Sequence, residues 1–127
     1  AEIFIGHLAN NEQTRGMMTY EYFSRMRPNA VFINTGRGAQ LVEADLARAL
    51  AEVPTRTAVL DVTDPEPVKP DNPFCTLENV FLTPHIAGSI GDEVARMGQY
   101  MMEEYGAFAS GSSCRYEVTE AMLKTMA

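Results

Sequence analysis

Short apolar runs alternate with polar stretches that contain glycine or proline along most of the chain. Runs this short, bounded by turn-forming residues, favour buried strands over helices. They predict four strands, over Ile3–Leu8, Ala30–Ile33, Thr57–Asp61 and Asn79–Leu82.

Two segments between these runs have helical patterns instead. Thr19 can N-cap a helix that runs to about Arg25 and ends before the turn at Pro28. Its expected packing face is Tyr22, Phe23 and Met26. Strong helix formers and first-turn carboxylates predict a second helix over Glu43–Glu52. The apolar face of that helix is expected to be Leu46, Ala47 and Leu50.

A long third helix follows the last strand. Ser89 is the expected N-cap, and Asp92 three residues later resembles a capping box. Its apolar residues recur every three or four positions, which predicts a buried face with methionines as core fillers. That face is Ile90, Val94, Met97, Met101, Tyr105 and Phe108. A short helix is also expected around Thr119–Thr125.

Alternation of strands and helices predicts an α/β fold with a mostly parallel sheet and flanking helices. A strand–helix–strand unit needs a right-handed crossover between parallel strands. A complete dinucleotide-binding fold has about six strands and a glycine-rich turn after the first. Neither a G-x-G-x-x-G sequence nor a P-loop occurs here, so we expect only part of such a fold.

Composition narrows the class of protein. The 127 residues suffice for one domain, and 46% hydrophobic with 21% charged residues is typical of a soluble globular protein. The net charge of −7 argues against nucleic acid as a partner, because binding phosphates requires a basic face. No run of about 18 apolar residues predicts a membrane span, and no metal-ligand spacing is present.

The cellular compartment is expected to be the cytoplasm. Cys75 and Cys114 are far apart and are expected to be free thiols in a reducing environment. The first residues after Ala1 lack a basic leader. Because the chain begins without methionine and enters an apolar run at once, we expect that its N-terminal part is absent.

Acidic and imidazole groups follow two neighbouring predicted strands. Asp61 ends the third strand and is followed by Asp64 and Glu66, and His85 follows the fourth strand after Thr83. Ligands of open α/β sheets bind at the edge where strands end. A histidine beside a carboxylate is favoured in its charged form and can exchange a proton with a carbonyl or an alcohol.

Arg37 follows the second predicted strand, between two glycines in the sequence NTGRG. A guanidinium can bind a carboxylate through two parallel hydrogen bonds. With His85 and Glu66 for proton transfer, such a site suits a 2-oxo or 2-hydroxy acid, and a hydride carrier would be required.

Each of these residues can also be interpreted without a functional role. Arg37 alone could be a solvated side chain in a turn, and His7 could be a strand-end histidine with no chemistry. The loop from Pro65 to Pro73 contains four prolines and is stiff, so it could position Glu66 or act only as a spacer.

Three stretches in order resemble the D-isomer-specific 2-hydroxyacid dehydrogenases, relatives of phosphoglycerate and glycerate dehydrogenases. They are MRPNAVFINTGRGAQLVEADLARAL, LDVTDPEPVKPDNPF and ENVFLTPHIAGS, and the resemblance covers about residues 1–110. The resemblance implies that Arg37 binds the substrate carboxylate and polarises its carbonyl. It also implies that His85 is the acid/base and that Glu66 orients it; relatives that oxidise formate have glutamine in place of that glutamate.

The resemblance further implies an NAD cofactor. Its nicotinamide side would be bound by Asp61, Thr35, Gly36, Arg37, His85 and Gly88, with Leu8 as a further contact. The family often has proline where Ala9 stands.

The resemblance also implies a domain layout and an assembly. Residues 1–107 would be the C-terminal half of an NAD-binding domain with its long crossover helix, and residues 108–127 a tail returning to a substrate domain. A homodimer acting on a small 2-hydroxy or 2-oxo acid is expected, and the 127 residues alone are expected to be inactive. The alternative is a non-catalytic nucleotide-binding or dimerisation piece of the same family.

Overall fold

The computed structural model describes residues 1–124 and 126. In that part of the chain the sheet has four strands, β1 Ile3–Gly6, β2 Val31–Asn34, β3 Thr57–Leu60 and β4 Val80–Leu82. All neighbouring pairs are parallel and the spatial order is β1-β2-β3-β4. The α/β architecture with a parallel sheet is therefore confirmed.

The strands match the expected ranges to within one or two residues. The largest difference is at β1, which ends at Gly6 and not at Leu8. The carbonyl of Leu8 accepts a hydrogen bond from the side-chain amide of Gln40. Because this carbonyl is bonded to a side chain and not to the neighbouring strand, the parallel ladder stops before it.

The compact unit that contains Ala1–His85 has two α-helices packed on the sheet, α1 Tyr20–Ser24 and α2 Glu43–Glu52. Thr19 occupies the N-cap position of α1 as expected, but its side chain makes no capping hydrogen bond. Phe23 is fully buried, whereas Tyr22 is 49% exposed and is not part of the packing face. With only five residues, α1 presents a narrower apolar face than the sequence suggested.

The hydrophobic core forms between the sheet and these helices. The expected face of α2 is confirmed, because Leu46, Ala47 and Leu50 are all buried. The rings of Phe23 and Phe32 meet edge to face with centroids 5.3 Å apart, a geometry that adds to their burial. The largest fully buried apolar side chains are Phe23, Phe32, Phe74, Leu46, Leu50 and Leu60.

Arg56, just before β3, joins the ends of both helices. Its side chain is buried, and its guanidinium donates to the carbonyls of Ser24 at 2.8 Å, Met26 at 3.1 Å and Ala49 at 3.1 Å. The last carbonyls of a helix have no partner within the helix. Arg56 therefore satisfies such groups of α1 and α2 and holds their C-terminal ends to the start of β3.

A second compact unit comprises Ile86–Lys124 and contains α3, Asp92–Ala109. Its N-cap residue is Gly91, with φ of +59°, so the expectation that Ser89 caps the helix was wrong. A positive φ, which glycine adopts readily, turns the chain into the helix at this position. The hydroxyl of Ser89 instead donates to the sulfur of Met97 at 2.9 Å.

The apolar face of α3 differs from the expectation. None of its residues is buried, and the six side chains of the predicted face are between 52% and 75% exposed. The assignment of its methionines as core fillers was therefore wrong, with Met101 62% exposed. Apolar periodicity marks a face suited to burial, but it does not identify the surface that buries it.

Within the second unit the tail folds back on α3. The carboxylate of Glu104 accepts from the backbone N–H groups of Arg115 at 3.0 Å and Tyr116 at 3.1 Å. A 3₁₀ turn spans Met122–Lys124, in the region where a short helix was expected, and Thr125 lies outside the described residues. Among the described helices, none combines the length and apolarity needed to cross a bilayer.

Candidate functional site

The carboxyl ends of β2, β3 and β4 meet at one edge of the sheet because the strands are parallel. Hydrogen bonds continue past the strands: Asp61 N–H donates to the carbonyl of Asn34 at 2.9 Å, and His85 N–H to the carbonyl of Asp61 at 3.0 Å. The segments that follow these three strands are thus held side by side. This arrangement brings the predicted polar residues to one edge.

His85 and Glu66 are in direct contact at this edge. His85 Nδ1 lies 2.9 Å from Glu66 Oε2, and the other carboxylate oxygen of Glu66 accepts from Thr63 N–H at 3.3 Å. Both side chains remain about 40% exposed. With Nδ1 occupied by the carboxylate, Nε2 is the ring nitrogen available for proton exchange with a ligand.

The backbone at His85 has an unusual conformation. Its φ is +52°, in the left-handed region that residues other than glycine adopt rarely. Such conformations cluster at functional sites, where the surrounding structure holds them. At His85 the N–H donates to two carbonyls, those of Asp61 and Thr83, each at 3.0 Å, and these bonds hold the conformation.

Asp61 is buried at the end of β3, with only 4% exposure. The hydroxyl of Thr83 donates to its Oδ1. A cavity of about 310 Å³ opens beside these two residues. It is lined by Asp61, Thr63, Glu66, Pro67, Val68, Leu82, Thr83, Pro84 and His85. The cavity therefore joins an apolar wall to a buried carboxylate and the imidazole–carboxylate pair.

Buried Asn34 shapes the loop that carries Arg37. Its side-chain amide donates to the carbonyl of Arg37 at 3.1 Å and its Oδ1 accepts from Gly36 N–H at 3.0 Å. Gly38 then touches the loop after β3 so closely that a Cβ there would lie 2.1 Å from the carbonyl carbon of Thr63. Only glycine permits this approach, which sets the loop of Arg37 against the loop of Glu66.

The guanidinium of Arg37 is not part of the imidazole–carboxylate contact. Arg37 is exposed, and its Nη1 donates to the carbonyl of Gly36 at 2.7 Å. Among the described contacts, those of this side chain are with its own loop and not with Glu66 or His85. The structure thus brings the Arg37 backbone to the site, with its side chain folded back.

The remaining predicted cofactor residues lie in different places. Thr35 Oγ1 is 3.5 Å from Nδ1 of His7, so the ends of β2 and β1 are adjacent. Leu8 follows β1, is 40% exposed and is fixed through its carbonyl by Gln40. Gly88 belongs to the second unit and has φ of +106°, a conformation that favours glycine.

Comparison with known proteins decides the family. The model described as "D-isomer specific 2-hydroxyacid dehydrogenase, NAD binding domain" matches residues 1–87. The chain belongs to this family. Its members are NAD(P)-dependent oxidoreductases of 2-hydroxy acids, and the matched region is their NAD-binding domain.

Individual 2-hydroxyacid dehydrogenases support the same assignment. A glyoxylate reductase of Korarchaeum cryptofilum is 37% identical over 105 residues, which cover 83% of this chain and 32% of that protein. A D-3-phosphoglycerate dehydrogenase of Archaeoglobus fulgidus is 31% identical over 118 residues, 93% of this chain and 22% of that protein.

A solved structure also superimposes well. The NADPH-dependent glyoxylate/hydroxypyruvate reductase of Sinorhizobium meliloti, in complex with NADP and sulfate, has a TM-score of 0.81 at 30% identity. The superposition covers 95% of this chain and 39% of that one. The chain thus spans a third or less of the length of the curated relatives named above.

The lining of the cavity beside Asp61 fits the nicotinamide part of a dinucleotide, the cofactor that the family implies. A flat ring with a carboxamide needs apolar contacts and hydrogen-bond partners, and the cavity offers Val68 and Leu82 beside the carboxylate of Asp61. A metal would need a different set of ligands. Within residues 1–124 and 126, no group of three or more His, Cys, Asp or Glu side chains could hold one.

Sequence reasoning missed three residues that build this edge. Thr83 bonds Asp61, Asn34 shapes the Arg37 loop, and Gln40 fixes Leu8. Asn34 had a usable signal, because asparagine after a strand often bonds the backbone two residues on. For Gln40 the sequence offers none, since its partner is 32 positions away.

Proposed function

We propose that this chain carries the catalytic edge of an NAD-dependent oxidoreductase that interconverts a 2-hydroxy acid and a 2-oxo acid. The observation that carries the proposal is the 2.9 Å contact between His85 Nδ1 and Glu66 Oε2 at the carboxyl edge of a parallel sheet. Membership of the 2-hydroxyacid dehydrogenase family supports it.

His85 is the acid/base in this proposal. In the direction of reduction, Nε2–H of the imidazolium donates a proton to the carbonyl oxygen of the 2-oxo acid, and in oxidation Nε2 accepts it from the alcohol. Glu66 accepts the hydrogen bond from Nδ1–H and thereby fixes the orientation of the ring. The bound cofactor supplies or accepts the hydride.

Arg37 binds the substrate carboxylate and polarises its carbonyl. For this its guanidinium leaves the carbonyl of Gly36, to which it donates in the structure, and exchanges that neutral acceptor for a charged one. A carboxylate can accept two parallel hydrogen bonds from the guanidinium and carries the opposite charge, whereas the Gly36 carbonyl accepts one bond and is neutral, so a carboxylate competes well with it.

The cofactor residues follow from the same proposal. Asp61 accepts a hydrogen bond from the nicotinamide carboxamide, and the backbone of Thr35, Gly36 and Arg37 forms an adjacent part of the site. His85 and Leu8 complete it. We propose NAD over NADP; the Sinorhizobium meliloti relative is described as NADPH-dependent, so the kinetics with both cofactors decide this point.

The layout proposed for the whole protein follows the family. Residues 1–107 form the C-terminal half of the NAD-binding domain, and residues 108–127 lead back to a substrate domain. We propose a cytoplasmic homodimer that acts on a small hydroxy acid and binds no nucleic acid. We further propose that these 127 residues alone do not turn over substrate.

The test is oxidation of NADH and NADPH with a panel of 2-oxo acids, using the protein that contains this chain. We expect Glu66→Gln and His85→Ala to lower kcat by about 10²–10⁴-fold, the range for loss of general acid–base catalysis. Glu78→Gln is the matched control, because Glu78 precedes β4 and lies at the opposite end of that strand. Full activity in His85→Ala would refute the assignment.

A second candidate is a non-catalytic nucleotide-binding or dimerisation piece, and the exposed apolar face of α3 favours it. Large exposed apolar patches mark interaction surfaces. In that case the purified protein would bind NADH and self-associate, as followed by fluorescence and by sedimentation, without oxidising NADH in the presence of any 2-oxo acid.

A further inference from the structure

Glu43, the first residue of α2, reaches out of its helix to the loop that carries Glu66. Its Oε1 accepts from the backbone N–H of Asp64 at 2.9 Å, and its Oε2 accepts from Nδ2 of Asn72 at 2.6 Å. These two partners lie at the two ends of the loop Asp64–Asn72. A single carboxylate on a helix thus holds both ends of this loop.

Thr63, just before the loop, also holds it: its hydroxyl donates to the carbonyl of Pro65 at 2.9 Å and its N–H to Glu66 Oε1 at 3.3 Å. Pro65, Pro67 and Pro70 have no backbone N–H and cannot be bonded through it. A described bond inside the loop joins Asn72 N–H to the carbonyl of Lys69 at 3.0 Å. The position of the loop therefore depends strongly on groups outside it.

Asn72 also connects the loop to the hydrophobic core. Asn72 Oδ1 accepts from Phe74 N–H at 2.9 Å, and the ring of Phe74 is buried with 2% exposure. On the other side, Gly38 packs against the backbone of Thr63. The loop is thus held between a buried ring and a close backbone contact, with Glu43 bonded to both of its ends.

We propose that Glu43 is a positioning residue that keeps Glu66 within hydrogen-bond distance of His85 by holding Asp64 and Asn72. A carboxylate suits this role because both partners are donors and each of its oxygens accepts one bond. The catalytic meaning of the pair rests on the function proposed above. The contact itself can be measured without substrate or cofactor.

The test uses the ring ¹⁵N resonances of His85, which report the hydrogen bond at Nδ1. The chain has two histidines, so His7→Gln assigns the signals. Glu66→Gln provides the reference spectrum for a changed partner at Nδ1. We expect Glu43→Ala to move the His85 resonances toward this reference. Glu43→Gln should move them in the same direction by less, because its amide keeps one acceptor and turns a donor toward Asn72.

Asp45→Ala is the matched control. Asp45 lies in the same first turn of α2, has the same charge and accepts a backbone hydrogen bond from Tyr20 at 2.9 Å, away from the loop. We expect its loss to leave the His85 resonances unchanged. Equal shifts in Asp45→Ala and Glu43→Ala would mean a general effect on α2 and would overturn the proposal.

Folding is checked by circular dichroism, and if Glu43→Ala does not fold, Glu43→Gln decides. Wild-type His85 resonances in a folded Glu43 variant would overturn the positioning role. In an active protein, Glu43→Ala should also lower kcat about tenfold or more with little change in KM, as expected for a displaced catalytic group. Absence of activity in the wild type would refute the proposed function and leave the resonance test valid.

Discussion

Gly38→Ala tests whether the close contact between two loops builds the site. A Cβ at residue 38 would lie 2.1 Å from the carbonyl carbon of Thr63, 2.3 Å from its oxygen and 2.6 Å from the nitrogen of Asp64. All three are backbone atoms, so no side chain can rotate away. The carbonyl carbon would have to move by about 1.3 Å to reach the 3.4 Å of ordinary contact.

The expected loss in the free energy of unfolding is large for the addition of a single methyl group. Inserting a methyl group where backbone must shift destabilises by about 1–3 kcal/mol, and we expect the upper part of this range because three atoms are displaced. A displacement of about 1 Å near reacting groups can lower activity by about 10²-fold. Gly38→Ala should therefore lose both stability and turnover.

Urea unfolding measures the loss of stability, and the NADH assay measures the loss of turnover. Gly98→Ala is a suitable control, since an added Cβ at this exposed position in α3 meets no atom within 4 Å. Because alanine favours helix over glycine, we expect that variant to gain about 0.5–1 kcal/mol. Wild-type stability in Gly38→Ala would show that the two loops do not press on each other and would refute the reasoning.

Three further predictions concern other parts of the chain. Arg56→Ala should lower the free energy of unfolding by about 2–4 kcal/mol in urea titrations, because buried helix carbonyls lose a charged donor; a cost below 1 kcal/mol would contradict this. Burial raises the pKa of the Cys114 thiol, so at pH 8 a Cys75→Ser variant should react with a thiol reagent more slowly than a Cys114→Ser variant. The hydrogen bond from Tyr20 lowers the pKa of Glu52 below its ordinary value of 4.5. Ionised Glu52 therefore stabilises the fold fully above pH 4.5, and this stabilisation is lost as the pH falls through the lowered pKa. Wild-type and Glu52→Gln stabilities should therefore converge in acid, and a constant difference would exclude the contact.

The strand ends were predictable because apolar runs stop where polar chemistry begins. Asp61 and His85 each follow such a run, and parallel strands place these ends together. The contact between Glu66 and His85 was expected from the shared sheet edge and from the family resemblance, whereas the proline-spaced loop could also have been only a spacer. Local patterns were thus sufficient to predict the position of a residue that directly follows a strand.

Contacts between distant parts of the chain were not predictable. The sequence indicates only that Glu43 is a first-turn carboxylate that suits the helix dipole. Its hydrogen-bond partners, Asp64 and Asn72, lie 21 and 29 positions away. The Arg37 side chain, expected among the catalytic groups, bonds its own loop in the structure. The orientation of a long side chain depends on competing acceptors that a sequence does not position.

The third helix shows two limits of prediction from the sequence. Ser89 was expected to cap it because Asp92 three residues later resembles a capping box, but Gly91, with a positive φ, is the N-cap residue instead. The apolar periodicity correctly indicated a long helix and an apolar face. It did not indicate that this face is exposed, since periodicity contains no information about the covering surface.

The strand order has a consequence for how the molecule assembles. Each strand pairs with the next one along the chain, so every pairing closes a segment of roughly 25 residues at a similar entropic cost. The sheet can then grow in the direction of synthesis, one strand at a time. Because His85 follows β4, its contact with Glu66 can form only after the last strand has joined. Formation of this contact during refolding would therefore report that β4 has joined β3.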